Sequence, residues 1–253
     1  MQDSKIAWTN HTFNIAWGCT KISPGCKNCY ADTLSSRYGQ DVWGPNNPRR
    51  VLSDKYWREP LRWNEEARKA GERRRVFSSS MCDILEDHPT ITEQRTRLWA
   101  LIRLTPWLDW QLLTKRPERY LECLPGDWGD GYPNVWLGTS IENYEYVWRA
   151  DHIRTIPAAV RFISYEPALG PLPSLDLDGI DWVIYGGESG PGFRGHDLEW
   201  PRDMRRRCEA AGVAFFYKQS AAIRTEMGTQ LDGEIVQNYP IPRKSAKSPI
   251  KQG

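Results

Sequence analysis

Three cysteines within eleven residues are the part of the sequence best suited to chemistry. Cys19, Cys26 and Cys29 follow a C-x6-C-x2-C spacing and are half of the six cysteines in the chain. Three thiols form a poor disulfide set, because one of them always lacks a partner. Three thiolates form an incomplete metal shell, of the kind that favours zinc or an iron–sulfur cluster. Pro24 and Gly25 suit the turn that such a loop needs.

The fourth ligand decides what kind of site this loop can build. A protein ligand, with His11 or Cys82 as candidates, would close a structural zinc site. An iron left without a protein ligand would let a small molecule bind the metal directly, and this is the hypothesis we favour. A third interpretation is that three buried structural cysteines happen to lie close together.

Composition limits the class of protein. The chain has 253 residues, of which 40% are hydrophobic, enough for one sizeable packed domain. A net charge of +2 neither requires nor excludes a nucleic-acid partner. No apolar run approaches about 18 residues, so we expect no transmembrane helix. The polar N-terminus resembles no signal peptide, and clustered cysteines suit a reducing compartment, so we expect a cytoplasmic protein.

Seven short apolar segments alternate with amphipathic stretches, which predicts an α/β fold with a parallel sheet buried on both faces. We expect a (β/α) barrel, partial or irregular, over residues 1–220, with an insertion near 41–60. Residues 221–253 are expected to form a loosely ordered C-terminal extension. The predicted strands are 13–17, 75–81, 109–114, 134–140, 160–164, 180–185 and 213–217.

Polar residues recur where these predicted strands end, which in a barrel is the face that carries the active site. The candidate site residues on this face, besides the three cysteines, are Ser78, Ser79, Asp83, Thr114, Lys115, Ser140, Glu142, Glu166, Gly186, Gly187, Glu188 and Lys218. A lysine at the barrel mouth needs a partner when it loses water. We therefore predict that Lys218 pairs with Glu188, with Glu166 or with a substrate phosphate.

Several longer motifs resemble one family, the phage and bacterial three-Cys-motif proteins of unknown function. They are Trp17-Gly18-Cys19, Ser23-Pro24-Gly25-Cys26, Cys29-Tyr30-Ala31, Leu113-Thr114-Lys115-Arg116-Pro117, the segment 136–143, Glu166-Pro167, the segment 186–190 and the segment 215–219. A barrel that opens with a three-cysteine loop also resembles the radical S-adenosylmethionine (SAM) superfamily. The usual spacing in that superfamily is C-x3-C-x2-C, so this chain departs from it.

The resemblance implies that Cys19, Cys26 and Cys29 hold a [4Fe-4S] cluster whose open iron binds SAM. A flavodoxin- or ferredoxin-type protein would supply one electron, and SAM would yield a 5′-deoxyadenosyl radical that abstracts hydrogen from a substrate. Ser78, Ser79 and Asp83 stand where the superfamily binds the SAM amino group.

The roles of the other candidate residues are predicted from their residue types and their positions after the strands. Gly186-Gly187-Glu188 matches the superfamily's Gly-Gly-Glu in type but follows the sixth predicted strand instead of the second, so its role is not transferred directly. Thr114, Lys115, Ser140 and Glu142 are further candidates for binding SAM. Lys218, Glu166 and Glu188 are the candidates for direct participation in the reaction.

Basic runs at 49–50, 73–75 and 205–207, with Trp43, Trp57 and Trp63 near the first two, indicate a nucleobase, nucleotide or DNA substrate. The reaction would then be DNA modification or lesion repair, in a phage or mobile-element setting. Each run could equally be a solvated helix face. The alternative from another class is a zinc-stabilised protein that binds nucleic acid or a partner without catalysis. A third is a cluster enzyme whose open iron binds substrate without SAM.

Overall fold

A computed structural model describes residues 1–243 of the chain as an α/β protein built on one curled parallel sheet. Three short strands come first: β1 (His11–Thr12), β2 (Ala16–Trp17) and β3 (Arg50–Val51). The longer strands are β4 (Arg74–Ser78), β5 (Leu108–Thr114), β6 (Val135–Ser140), β7 (Val160–Tyr165), β8 (Trp182–Gly186) and β9 (Ala214–Gln219). The helices are α1 (Tyr30–Arg37), α2 (Asp54–Trp57), α3 (Glu59–Ala70), α4 (Pro89–Leu104), α5 (Tyr120–Cys123), α6 (Arg149–Arg154) and α7 (Glu199–Ala211).

Seven of the strands form the sheet in the order β1-β4-β5-β6-β7-β8-β9, and every neighbouring pair is parallel. The curled sheet is a half-barrel, which confirms the predicted fold class and its partial character. Because all seven strands run the same way, their carboxyl ends meet at one edge of the sheet, here called the carboxyl edge. The helices α3 and α7 each end at a glycine with a left-handed backbone, Gly71 and Gly212.

The two faces of the sheet bury different sets of side chains. The outer face packs against the helices through residues such as Trp63, Leu98 and Met204. The inner face is filled by aromatic rings around Trp182, which contacts Phe162 at a ring separation of 5.8 Å. Gly138 is needed there, because a Cβ atom at this position would lie 2.3 Å from the Phe162 ring.

The first strand is shorter than predicted. Only residues 11–12 join the sheet, whereas Ala16–Trp17 pairs with β3 in a separate antiparallel ribbon. The chain leaves the sheet at Asn14, whose amide donates to the Tyr56 hydroxyl and whose side chain accepts from the Met81 amide. The Phe13 amide still donates to the Phe77 carbonyl of β4, whereas Ile15 is fully buried without such a bond, so its apolar character does not require strand pairing.

The prediction of a loose extension after residue 221 is wrong for the part of it that the structure describes. Leu231 and Val236 are buried in the outer core, and the Tyr217 amide donates to the Val236 carbonyl. The Trp182 indole donates to the Asn238 carbonyl, which ties the segment to the inner face. Residues 244–253 of the predicted extension lie outside the described residues.

The predicted insertion near 41–60 lies after the ribbon strand β2 and reaches the helix α3. It contributes β3 and α2, and its final residues begin α3. Among residues 1–243, no helix has both the length and the apolar character needed to cross a bilayer.

Candidate functional site

The cysteine loop, defined as residues 18–30, lies at the carboxyl edge of the sheet. Cys19 follows β2, Cys26 ends a short 3-10 turn that starts at Pro24, and Cys29 immediately precedes α1. All three thiols are free and half-buried. Gly18 has a φ of 113°, and a Cβ atom there would lie 2.2 Å from the Val42 carbonyl oxygen, so only glycine fits this entry to the loop.

The three thiols match an iron–sulfur cluster in donor type and number. Burial raises the pKa of the Cys19 and Cys29 thiols, while the Arg116 guanidinium, 3.8 Å from the Cys19 sulfur, opposes that rise. Without metal these thiols therefore hold their protons, and binding a metal would release them. In residues 1–243 no three or more His, Cys, Asp or Glu side chains are arranged around a common metal position. The three cysteines therefore match a cluster in donor type and number, and not in the arrangement of their sulfurs.

His11 lies away from the loop. Its ring stacks on Trp63 at 4.7 Å, and its Nδ1 atom accepts a hydrogen bond from the Asp3 amide. Because Trp63 belongs to α3 on the outer face, His11 is not placed to complete a zinc shell with the cysteines. The suggestion of His11 as a fourth ligand is therefore wrong.

Asp83 joins the end of β5 to the segment after β4. Its carboxylate accepts from the Thr114 hydroxyl at 2.6 Å, the Lys115 amide at 3.0 Å, the Arg116 guanidinium at 3.0 Å and the Leu85 amide at 3.0 Å. Arg116 also donates to the Thr20 carbonyl at 2.8 Å, next to Cys19. The predicted residues Asp83, Thr114 and Lys115 are thus brought together, and Arg116 extends the network to the cysteine loop.

Glu142 holds the middle of the cysteine loop. Its side chain is fully buried and accepts from the Ser23 hydroxyl at 2.6 Å, the Lys115 ammonium at 2.8 Å and the Arg149 guanidinium at 2.9 Å. Gly25 packs so closely on it that an added Cβ atom would lie 2.5 Å from the carboxylate oxygen. Burial alone would raise the pKa of Glu142, but Lys115 and Arg149 outweigh this effect and lower it.

Glu188 holds the far end of the loop. Its carboxylate accepts from the Asn28 amide group at 3.0 Å and from both the backbone and the guanidinium of Arg194. Arg194 also donates to the Pro24 carbonyl at 3.0 Å. Burial by itself raises the pKa of Glu188, but the bonds from Arg194 and Asn28 lower it overall. Sequence reasoning found Glu188 and missed both of these partners.

Glu166 and Lys218 form a direct ion pair of 2.7 Å between the ends of β7 and β9. Their side chains are 15% and 17% exposed, so solvent can still reach the pair. Gly186 makes room for it, because a Cβ atom there would lie 2.3 Å from a Glu166 carboxylate oxygen. The predicted pairing of Lys218 with Glu166 is therefore present, whereas Glu188 is bound by Arg194.

The remaining predicted residues, Gly187, Ser78, Ser79 and Ser140, contact neighbouring backbone or side chains away from the cysteine loop. Gly187 lies against the backbone of Ala221, where a Cβ atom would be 2.1 Å from the amide nitrogen. The hydroxyls of Ser78 and Ser79 lie 3.0 Å apart, and Ser140 is buried with its carbonyl accepting from Arg149. Within the described residues none of these three serine side chains hydrogen-bonds to the cysteine loop.

Arg49 is a site residue that sequence reasoning missed. It is 1% exposed in its side chain and makes a bidentate ion pair with Glu86, with both N–O distances 2.8 Å. The same guanidinium donates to the carbonyls of Val42, Gly44 and Asn47, and Glu86 accepts from the Thr20 amide. The sequence gives no signal for this pair, because thirty-seven positions separate its members.

Most arginines of the basic runs proposed as nucleic-acid contacts already bind carboxylates or carbonyls of the protein. Arg49 is buried, Arg73 pairs with Asp109, and Arg207 donates to carbonyls of the segment before β8. Other members pair with nearby carboxylates, including Arg74 with Glu72, Arg205 with Glu209 and Glu234, and Arg206 with Asp203. Trp57 and Trp63 are buried in the core.

The fold and the site define a half-barrel protein with a three-cysteine loop held over the carboxyl edge. Two solved structures of mutant spore photoproduct lyase share this fold with a TM-score of 0.50 and 14% sequence identity. One contains bound AdoMet and dinucleoside spore photoproduct, and the other contains dinucleoside spore photoproduct. The match covers 81% of this chain and 62% of those chains, so this protein spans less than two thirds of their length.

A family model named DUF5131, a protein family of unknown function, matches residues 3–240. The chain therefore belongs to this family. That result agrees with the resemblance to a family of unknown function, and it does not test the three-cysteine motif. No curated protein matches the chain.

Proposed function

We propose that this protein is a radical SAM enzyme that acts on a base or nucleotide of nucleic acid. Cys19, Cys26 and Cys29 would hold a [4Fe-4S] cluster, which when bound supplies the electron that cleaves SAM to methionine and a 5′-deoxyadenosyl radical. A flavodoxin- or ferredoxin-type protein is the proposed electron donor. The bound AdoMet and the dinucleoside lesion in structures with the same fold support the cofactor and the substrate class.

The observation that carries the proposal is the attachment of the cysteine loop to the carboxyl edge by buried charges. Asp83, Glu142 and Glu188 each accept at least three hydrogen bonds, which link the ends of β4, β5, β6 and β8 to the loop. A loop held at this many points has a fixed backbone path, which supports a role in holding a bound group. We therefore assign these three carboxylates to positioning the loop.

Glu166 and Lys218 are the proposed contacts for SAM or substrate. A carboxylate and an ammonium side by side complement the ammonium and carboxylate of an amino-acid moiety. Their partial exposure distinguishes them from Glu142 and Glu188, which are buried and already accept several hydrogen bonds. When such a ligand binds, Glu166 would exchange its bond to Lys218 for one to the ligand ammonium, and Lys218 would bind the ligand carboxylate. Neither buried charge is then left without a partner.

Anaerobic purification with assays for iron, sulfide and zinc tests the metal. We expect iron and sulfide, a brown colour that dithionite bleaches, and reductive release of 5′-deoxyadenosine from SAM. Cys26→Ala should abolish both cluster and release. Cys123→Ala is the matched control, because Cys123 is buried in the outer core and should spare both.

Stoichiometric zinc without iron would reject the proposal and favour the non-catalytic, zinc-stabilised alternative. Iron and sulfide in wild-type protein that fails to cleave SAM under reduction would leave the cluster but reject the SAM chemistry.

A further inference from the structure

The exposed aromatic side chains are distributed unevenly. Five of the Phe, Tyr and Trp side chains in residues 1–243 are exposed, and they lie in the connections that follow β2, β6 and β8. These residues, here called the carboxyl-edge rim, are Tyr30, Tyr38, Tyr144, Trp148 and Phe193. Large exposed aromatic rings gathered on one face indicate a binding surface.

Each part of the rim connects to the cysteine loop. Tyr30 follows Cys29 directly, and its hydroxyl donates to the Ser80 carbonyl. Phe193 precedes Arg194, which reaches the Pro24 carbonyl. Trp148 precedes Arg149, which binds Glu142 and through it Ser23. Three of the five rim residues are therefore directly next in sequence to a residue of the cysteine loop or to one that holds it.

Several exposed cations in the segments after β2 and β9 have no carboxylate partner among the described residues. Lys27, Arg37 and Arg224 are exposed and have no salt bridge within residues 1–243. Arg50 stacks on Trp17 with its guanidinium carbon 4.8 Å from the ring centre, next to Tyr38. Exposed carboxylates such as Glu145 lie in the connections that carry the rim. The exposed cations therefore do not form one continuous basic patch.

We propose that the carboxyl-edge rim binds single-stranded nucleic acid. Unpaired bases would stack on the rim rings, and Lys27, Arg37, Arg50 and Arg224 would contact phosphates. A duplex hides the faces of its bases within the stack, so separated aromatic side chains favour a strand whose bases are unpaired. This proposal specifies the substrate class of the proposed function. It rests on that function only for the reaction that would follow binding.

Binding can be measured by fluorescence anisotropy with a labelled oligothymidylate and with a duplex of the same length, on anaerobically purified full-length protein. We expect the single strand to bind more tightly than the duplex. Tyr144→Ala and Trp148→Ala should each weaken binding about tenfold, the typical loss of one stacked base. Arg224→Ala should lower the slope of log affinity against log salt by roughly 0.7, the value for one phosphate contact on a single strand.

Two exposed residues serve as matched controls away from the rim. Leu104 ends α4 before the start of β5, and Arg206 belongs to a basic run and pairs with Asp203. Leu104→Ala and Arg206→Ala should leave binding unchanged. Equal or tighter binding of the duplex, or losses with Arg206→Ala that match those of the rim variants, would overturn the assignment.

The outcome is separable from that of the proposed chemistry. Wild-type protein that cleaves SAM but does not bind the oligonucleotide would keep the chemistry and reject the rim. Protein that binds the oligonucleotide through the rim but contains zinc in place of iron would keep the rim and reject the chemistry.

Discussion

At the scale of single residues, Glu142 shows how one buried carboxylate fixes a loop that has little regular structure. Its two oxygens receive a hydroxyl, an ammonium and a guanidinium, and its methylene and carboxyl atoms lie against Gly25. Removing the charge would leave Lys115 and Arg149 facing a neutral group in a low-dielectric site. Such uncompensated charges are among the most destabilising changes known in proteins.

We predict that Glu142→Gln lowers the free energy of unfolding by about 3 kcal/mol, the typical cost of breaking a buried ion pair. Urea denaturation of the purified variant measures it. The neighbouring exposed carboxylate offers a control, since Glu145→Gln should change stability by less than about 0.5 kcal/mol. Equal stabilities of the two variants would show that Glu142 does not organise the loop as described.

At the scale of elements, most of the sheet could be predicted from the sequence, and the polar network could not. Six of the strands lie where near-continuous apolar runs indicate them, because a strand that is buried on both faces of the sheet consists mostly of apolar residues. The first strand ends earlier than predicted because the chain leaves the sheet after Phe13, whose amide still donates to the Phe77 carbonyl, while Ile15 is buried without pairing in the sheet. Hydrophobicity reports burial, and it does not report which backbone groups are bonded.

The candidate site shows the same limit. The carboxyl edge was predictable, because strand ends in a parallel sheet must meet there. The partners were not, since Arg49–Glu86, Glu142–Arg149 and Glu188–Arg194 depend on the path of each loop. Lys218–Glu166 was one of three alternatives predicted for Lys218, because both residues lie at the ends of sheet strands.

The packing of β1 on α3 predicts a pH dependence of stability. Burial lowers the pKa of His11 from its usual 6.5 to about 4. As pH falls below 6.5 the unfolded chain takes up this proton before the folded protein does, so stability is lost between about pH 6.5 and pH 4. We expect His11→Asn to remove about 2 kcal/mol of that acid-side loss, measured by urea titrations across this range.

The exposed His152 provides the comparison for this experiment. His152→Asn should retain the full loss of stability between pH 6.5 and pH 4. If His11→Asn and wild type lose stability in parallel over that interval, other groups control the acid transition.

At the scale of the whole molecule, the segment after β9 completes the domain. Leu231 is 1% exposed in the outer core, while Tyr239 packs on Trp182 at 5.5 Å on the inner face. One short segment therefore touches both sides of the sheet. The last strand of the sheet ends at Gln219, and this segment adds buried contacts beyond it.

We predict that Leu231→Ala lowers the free energy of unfolding by about 3 kcal/mol, as for other large-to-small changes in a core. Thermal and urea unfolding measure the loss. Ile235→Ala, at a site that is 67% exposed, should have almost no effect. A small loss in both variants would mean that the segment does not contribute to the core.

The Arg49 guanidinium has a consequence for how this family can diverge. Its donors satisfy three carbonyl oxygens of one short segment and a carboxylate thirty-seven positions away. Lysine offers no planar fork, so it cannot replace these bonds one for one. A lineage that lost this arginine would have to rebuild residues 42–49 and position 86 together. We expect Arg49 and Glu86 to be retained or lost together.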